Sequence, residues 1–188
     1  ASSFKCEQPE LRKELFTEMQ FLTDKKVVYC ANVDEDAAES EALVAALRVY
    51  ADAKGAPVIT ISARMEAELI DLEEEERQEF LEGYGIVEGA LPQLIRAGYE
   101  ALDLISFFTV QSNQVQAWTV CRGAKAPQAA GRIHTDFEKG FIRAEVVACA
   151  DLVEQGSEAA CRSAGKLRTE GKDYVVQDGD VIRFLFKT

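Results

Sequence analysis

Phosphoryl transfer, acid–base catalysis, metal binding and nucleic-acid contact each need particular side chains at particular spacings, and the 188 residues supply candidates for only some of them. A phosphate cradle takes a glycine-rich turn whose N–H groups face the phosphates, a lysine on the β and γ groups and a hydroxyl for Mg²⁺. Gly165-Lys166 is followed by Leu167 and has Ala160 where the first glycine belongs, and Gly171-Lys172 is followed by Asp173 with Lys166 at that place. Since no glycine precedes Gly55, no phosphate loop can precede the first strand, and no catalytic residue is assigned. His134 is the single histidine, so any Ser-His-Asp or Cys-His relay would have to run through it; beside Thr135-Asp136 it is expected instead to order the loop before Phe141 by hydrogen bonds. Cys6, Cys30, Cys121, Cys149 and Cys161 lie far apart without a C-x-x-C pair and read as buried, reduced thiols, with redox sensing by the most exposed of them as the alternative. The acidic run Glu73 to Glu76 fans out around a helix and cannot converge on one ion, so no metal site is assigned. Arg122, Lys125, Arg132, Lys139 and Arg143 form the densest basic cluster, with Trp118 and Phe137 close in sequence. They read either as a patch for RNA or an acidic protein surface, or as a mixed solvated surface around a core aromatic pair.

The elements that must carry these residues change character near residue 104. Pro9-Glu10-Leu11 opens a helical pattern with Leu11, Leu15, Phe16, Met19 and Leu22 on one face, ending near Thr23-Asp24. Val27 to Val33 and Pro57 to Ile61 are apolar without alternation, as in strands of a parallel sheet covered on both faces, and a helix from Ser40 to Ala53 links them with Leu43, Ala46, Leu47 and Tyr50 inward. Strand, helix, strand is the parallel crossover. One acidic helix is expected from Glu66 to Glu82 and another from Ala90 to Leu102. After Asp103 the pattern turns to short β runs: Ile105 to Gln111, Val115 to Arg122 across a Ser112-Asn113-Gln114 turn, and Gly140 to Val147. A helix from Ala150 to Ala164 and strands at Tyr174-Val175-Val176 and Val181 to Phe186 complete a small α+β module.

Composition fits a globular chain with one or two cores: 47% of residues are hydrophobic and no run is apolar enough to span a bilayer. The N-terminus lacks the basic and apolar stretches of a secretory signal, which makes the cytosol the default; a cleaved transit sequence would leave no trace, so organellar placement stays open. The net charge of −12 is uneven, with 10 basic against 23 acidic residues in 1–104 and 11 against 10 in 105–188. The acidic first half repels phosphate backbones, so nucleic-acid contact would fall to the second half.

Two stretches carry a resemblance to a known family. Ala124-Lys125-Ala126-Pro127-Gln128-Ala129-Ala130-Gly131-Arg132-Ile133-His134-Thr135-Asp136-Phe137-Glu138-Lys139-Gly140-Phe141-Ile142-Arg143-Ala144-Glu145 resembles the TGS-domain signature of YchF-type Obg-like ATPases, and Glu170-Gly171-Lys172-Asp173-Tyr174-Val175-Val176-Gln177-Asp178-Gly179-Asp180-Val181-Ile182 looks like the same family's last strands. With Asn32-Val33-Asp34-Glu35 the match covers nearly the whole chain. The resemblance implies an α/β plus α+β fold class: a helix returning from a coiled-coil insertion over 1–25, the C-terminal half of an OBG-type P-loop G domain over 26–104, and a ubiquitin-like β-grasp TGS domain over 105–188.

It also implies a base-reading edge. In GTPases an Asn-Lys-x-Asp after a buried strand reads guanine, because the aspartate accepts from two N–H donors. Here Asn32-Val33-Asp34-Glu35 ends in a longer acid and lacks the lysine whose stem packs on the base, in keeping with a family known for preferring ATP. Asn32, Val33 and backbone groups nearby would meet adenine with Glu35 near its amino group, and Ser62-Ala63 would supply backbone N–H groups from the second base-contacting segment. Taken alone, Asn and Asp after a strand are also ordinary turn and N-cap residues, and Ser62 also suits a helix cap. The expectation is therefore the C-terminal portion of an ATP- and Mg-using, ribosome-associated parent, itself unable to hydrolyse nucleotide; the alternative is a stand-alone TGS module binding RNA or protein. No membrane contact is expected, and the sequence sets no oligomeric state.

Overall fold

A computed structural model describes residues 9–34, 37–86, 88–111 and 114–187. It divides between Ala101 and Leu102 into two units. The fold class is the mixed one expected, parallel strands with helices in the first unit and a β-sheet domain with helices in the second. No helix among the described residues is long and apolar enough to cross a membrane.

The first unit opens with α1 (Pro9–Met19) and a short 3-10 turn at Leu22–Asp24. Leu15 and Phe16 are half-buried, Phe16 meeting Phe21 edge to face at 5.7 Å, but Leu11, Met19 and Leu22 of the expected apolar face are exposed. Strands β1 (Tyr29–Asn32) and β2 (Val58–Ile61) pair in parallel, Tyr29 against Val58 through Asn32 against Ile61. Between them runs α2 (Ala37–Asp52), and Gly55 at φ 62° makes the left-handed turn that returns the chain. Val44, Leu47 and Ala51 of α2 turn inward and Tyr50 meets Tyr29 of β1 edge to face at 5.8 Å, so the expected face is corrected at Ala46, which is exposed, and at Leu43, which is 76% exposed. The helix is apolar nearly all round, so periodicity alone could not say which stripe meets the sheet.

The acidic helix expected from Glu66 to Glu82 is two helices, α3 (Ala63–Leu69) and α4 (Glu74–Gly83). The break has local causes. Glu73 starts α4 in extended conformation with its N–H bonded to Glu76 Oε2 at 3.4 Å, and Arg77 reaches back to the carbonyls of Leu69 and Leu72, both at 3.3 Å. Glu73 to Glu76 therefore sit exposed at a helix N-terminus, where the dipole favours negative charge. Helix α5 (Ala90–Ala101) packs against β2.

The second unit is a five-stranded sheet in the order β4-β3-β7-β5-β6. The hairpin β3 (Leu104–Gln111) and β4 (Gln114–Cys121) is antiparallel, β7 (Asp180–Phe186) lies parallel to β3, and β5 (Phe141–Ala148) and β6 (Arg168–Glu170) follow antiparallel. First and last strands side by side at the centre, with a helix across one face, is the β-grasp arrangement. That helix is α6 (Ala126–Ile133), whose buried Ala126, Ala129 and Ala130 let it lie close to Phe107, Val120, Phe141, Val146 and Ile182. Phe137 of the short α7 (Thr135–Lys139) stacks on Phe186 at 3.8 Å. Gly140 has no room for a Cβ, which would run into the Lys187 carbonyl oxygen, and Lys187 N–H bonds Gly140 O at 2.8 Å. On the opposite face α8 (Cys149–Gln155) and α9 (Glu158–Ser163) bring Cys161 against Val147 and Val181.

Three sequence expectations are corrected in this unit. The helix expected from Ala150 to Ala164 is interrupted because Gly156 (φ 74°) closes α8 in the left-handed region and Ser157 Oγ caps α9, accepting from Ala160 N–H at 3.2 Å. Tyr174-Val175-Val176 is no strand: only a bridge joins Val175 to Lys125, and the edge strand is the polar β6. The loop expected around His134 before Phe141 is instead the junction of two helices, α6 and α7. Of the cysteines, Cys161 is buried and Cys149 half-buried as expected, but Cys30 and Cys121 are exposed at strand ends or edges; Cys6 lies outside the described residues.

Candidate functional site

The carboxyl ends of β1 and β2 lie side by side, the place where open parallel sheets bind ligands. Parallel pairing continues one residue past β1, with Val33 N–H on Ile61 O at 2.8 Å. Asn32 then bridges the two outgoing loops: its Oδ1 accepts from Ala63 N–H at 3.0 Å. Ser62 caps α3, Oγ accepting from Met65 N–H at 3.4 Å. The Ala63 amide is thus engaged by Asn32, which fixes the Asn32 carboxamide so that its NH₂ end carries the remaining donors. Asn32 and Asp34 are exposed and Val33 half-buried, so the edge is open to a ligand; Glu35 lies outside the described residues. Behind it, Glu66 Oε1 accepts from Ala90 N–H at 2.6 Å at the start of α5, and Glu88 grips Arg96 at 2.6 and 2.8 Å. Sequence reading missed the Glu66 contact. Its only signal was an acid in the first turn of one helix and an uncapped helix start 24 residues on.

In the second unit the five basic residues do not share one surface. Arg122 and Arg132 line an open groove of about 400 Å³ between the edge strand β4 and α6. Arg122 Nε is held by Asp103 Oδ1 at 3.0 Å, and Arg132 Nε donates to the Thr119 carbonyl at 3.1 Å. Lys125, just before α6, is bonded to Asp173 at 2.7 Å, and that hydrogen bond, then the lysine's charge, holds the Asp173 carboxyl below the usual range. Lys139 ends α7. Arg143 is across the sheet, alternating with Ala144 and Val146 of the α6-side core and sharing its face with Glu145, whose partner is Arg162 of α9 at 3.4 Å. Trp118 donates to Thr109 Oγ1 at 3.0 Å within the sheet, and Phe137 packs on Phe186, so both aromatics belong to the core. His134 caps α7, Nδ1 accepting from Asp136 N–H at 3.2 Å. This is the ordering role expected of it.

Near the last strand, Asp180 is 2% exposed and accepts from Tyr174 OH at 2.6 Å and Gln177 N–H at 2.9 Å, with Arg168 at 3.7 Å. Burial first, then the Asp180 carboxylate, pushes the Tyr174 hydroxyl up from 10.0 to about 12. This network pins the 171–179 loop and is structural.

Residues 104–187 match the family model YchF-GTPase_C, described as a protein of unknown function (DUF933). The ribosome-binding ATPase YchF of Bacillus subtilis is 47% identical over 98% of this chain and 53% of its own length. The Obg-like ATPase 1 of Homo sapiens is 45% identical over 93% of the chain and 45% of its own length. The structure of the Schizosaccharomyces pombe YchF GTPase superposes with a TM-score of 0.78 at 36% identity, covering 96% of this chain and 49% of that one. The chain spans about half the length of the curated relatives it matches. It carries a C-terminal YchF-GTPase_C domain and is homologous, along nearly its whole length, to the C-terminal part of the YchF and Obg-like ATPases.

Proposed function

We propose that this chain is the C-terminal portion of a YchF-type ATPase that binds and hydrolyses ATP in preference to GTP and associates with ribosomes in the cytosol. The observation that carries the nucleotide part is the Asn32–Ala63 bond, which ties the two post-strand loops into one edge at the carboxyl end of a parallel sheet. Asn32, Val33 and Glu35 with the Ser62-Ala63 segment, whose Ala63 N–H is held by Asn32 rather than free to face a base, form the base-reading edge; without a lysine in the stretch and with the carboxylate displaced by one methylene, guanine reading is weakened and adenine is favoured. The phosphates and Mg²⁺ need a loop this sequence does not contain, so the chain alone binds nucleotide weakly and does not turn it over. Residues 105–188 act as a TGS domain, and the ribosome-binding relatives support a ribosomal contact through it.

The test is competition between ATP and GTP for the chain extended N-terminally through a phosphate loop. The extended protein should bind ATP more tightly, and Asn32→Ala should weaken that binding by on the order of tenfold, the loss of about one well-placed hydrogen bond in a bound complex. Equal affinity for both nucleotides, or indifference to Asn32→Ala, would remove this reading.

A further inference from the structure

The two edges of the five-stranded sheet are protected unequally. At one edge β6 is three residues, Arg168-Thr169-Glu170, whose two charged side chains pair at 3.6 Å; a short charged strand discourages further pairing. At the other edge β4 runs eight residues, Gln114–Cys121, in unbroken register with β3, and it contains no charged residue and no proline. One bond phases its backbone. Arg122 N–H reaches the Asp103 carbonyl at 2.8 Å, so the even-numbered residues of β4 turn their backbone groups toward β3 and the odd-numbered ones turn theirs outward. Two outward carbonyls are taken: that of Cys121 accepts from Ala124 N–H at 3.1 Å, and that of Thr119 from Arg132 Nε at 3.1 Å. The outward N–H and C=O of Val115 and Ala117 have no partner among the described residues.

Two donors and two acceptors at strand spacing fix the shape of an occupant, which is extended backbone. The side chains fix its chemistry. Trp118 and Val120 belong to the core under α6, so Val115 and Ala117 lie on the other face of the sheet, where Val115 stands opposite Val110 and is 69% exposed. Gln114 and Gln116 are exposed on the α6 side. An added strand sets alternate residues beside Val115 and Ala117 and the others beside the two glutamines, and nowhere along β4 does it meet a counter-charge. The fit is therefore to an uncharged segment with β-branched residues toward Val115 and Ala117 and hydroxyl or amide residues on its other face. A second copy is the poorer occupant, because two chains of net charge −12 repel each other. Arg132 on the Thr119 carbonyl sets the limit of pairing, which stops short of Thr119.

We infer that residues 114–117 are a docking edge for an extended, uncharged segment of another protein, which joins the sheet as one more strand through the backbone of Val115 and Ala117. Main-chain hydrogen bonds supply the affinity, and the alternation of neighbouring side chains supplies the selectivity. The contact uses neither the base-reading edge nor the basic residues.

The experiment follows the backbone amides of the whole chain by NMR, with the end-blocked pentapeptide Ser-Val-Thr-Val-Ser as the probe. In the free chain the Val115 and Ala117 amides should exchange rapidly with solvent and those of Gln116 and Trp118 slowly. Excess peptide should shift the Val115 and Ala117 resonances and slow their exchange. Ala117→Pro removes an outward N–H at a place where an edge strand tolerates proline, so pairing with β3 stays intact and peptide binding should fall about tenfold or more. Val115→Lys puts a lysine on the edge and should weaken binding a few-fold, which guards against a proline variant that fails to fold. Val153→Lys, at a 78% exposed position on α8, should bind as the parent does, and a peptide with both valines replaced by aspartate should bind more weakly. The inference is overturned if the Val115 and Ala117 amides are already protected in the free chain, if excess peptide leaves them unshifted, or if both edge variants bind like the parent. It is equally overturned if the aspartate peptide binds as tightly, or if sedimentation shows the chain dimerising in a way that Ala117→Pro abolishes, which would make the occupant a second copy.

Discussion

In the second unit the central strand β7 has β3 on one side and β5 on the other, and helices bury a contiguous core from Phe107 to Ile182 on one face and a smaller one around Cys161 on the other. In the first unit β1 has only β2 among the described strands, and Leu43, Val49, Leu91 and Ile95 stand more than half exposed on the helices beside them. Both regions have comparable apolar content along their elements. What differs is whether each strand has neighbours enough to make both faces of the sheet worth covering, which is a property of the number of strands and only then of side-chain chemistry. The edge at the carboxyl ends of β1 and β2 is therefore held by single hydrogen bonds such as Asn32–Ala63, and the groove on the second unit is held by a packed core beneath it.

Substitutions can break that contrast. The largest effect is expected for Phe107→Ala, which empties a fully buried ring site in the second unit and should cost about 3–5 kcal/mol in urea denaturation. A cost near zero would mean the second core is not closed. Asp180→Ala should cost about 2 kcal/mol, because it removes the acceptor for Tyr174 OH and Gln177 N–H. The same network sets a pH dependence. Tyr174 has its folded pKa raised, so its contribution is fully present below 10.0 and is lost as pH rises toward about 12. Tyr174→Phe should flatten that stretch of a stability-against-pH curve; an unchanged slope would place its origin elsewhere.

Effects in the first unit should be smaller. Asn32→Ala should lower stability by about 1 kcal/mol, one loop-tying hydrogen bond, while Asn32→Asp keeps an acceptor for Ala63 N–H and should restore most of it while still lacking the amide donors. Stability measured for the two variants side by side separates the loop tie from the base contact. Smallest of all, Leu43→Ala at a 76% exposed position should stay within about 0.5 kcal/mol of the parent, whereas its sequence pattern placed it inward.

The sequence showed the elements whose burial is periodic or continuous. β1, β2, the β3–β4 hairpin, β5 and β7 follow from apolar runs bounded by turn residues, and α5 from its spacing. What escaped was carried by small or polar residues. Helix α6 packs through alanines, which have no hydrophobic bulk to mark a stripe, and β6 is Arg168-Thr169-Glu170, an edge strand with nothing to bury. The breaks at Asp71 to Glu73 and at Gly156-Ser157 did carry cap and turn signals, but these were outweighed by helix-like residues on both sides. The basic residues looked like one patch because they are near in sequence, yet strand alternation sends Arg143 to the far face of the sheet and the β4–α6 turn gathers Arg122 and Arg132. Asn32 was visible as a residue after a strand. Its bond to Ala63 depends on two loops 31 residues apart and could not be read from either one.

The division of labour between a nucleotide edge and a missing phosphate cradle is tested most directly by ATP turnover, measured for this chain alone and for the same chain preceded by a phosphate-loop half. The expected result is no turnover above buffer for the chain alone and measurable turnover for the extended protein. Hydrolysis of ATP by the chain alone, surviving in the Asn32→Ala variant or not, would contradict the account.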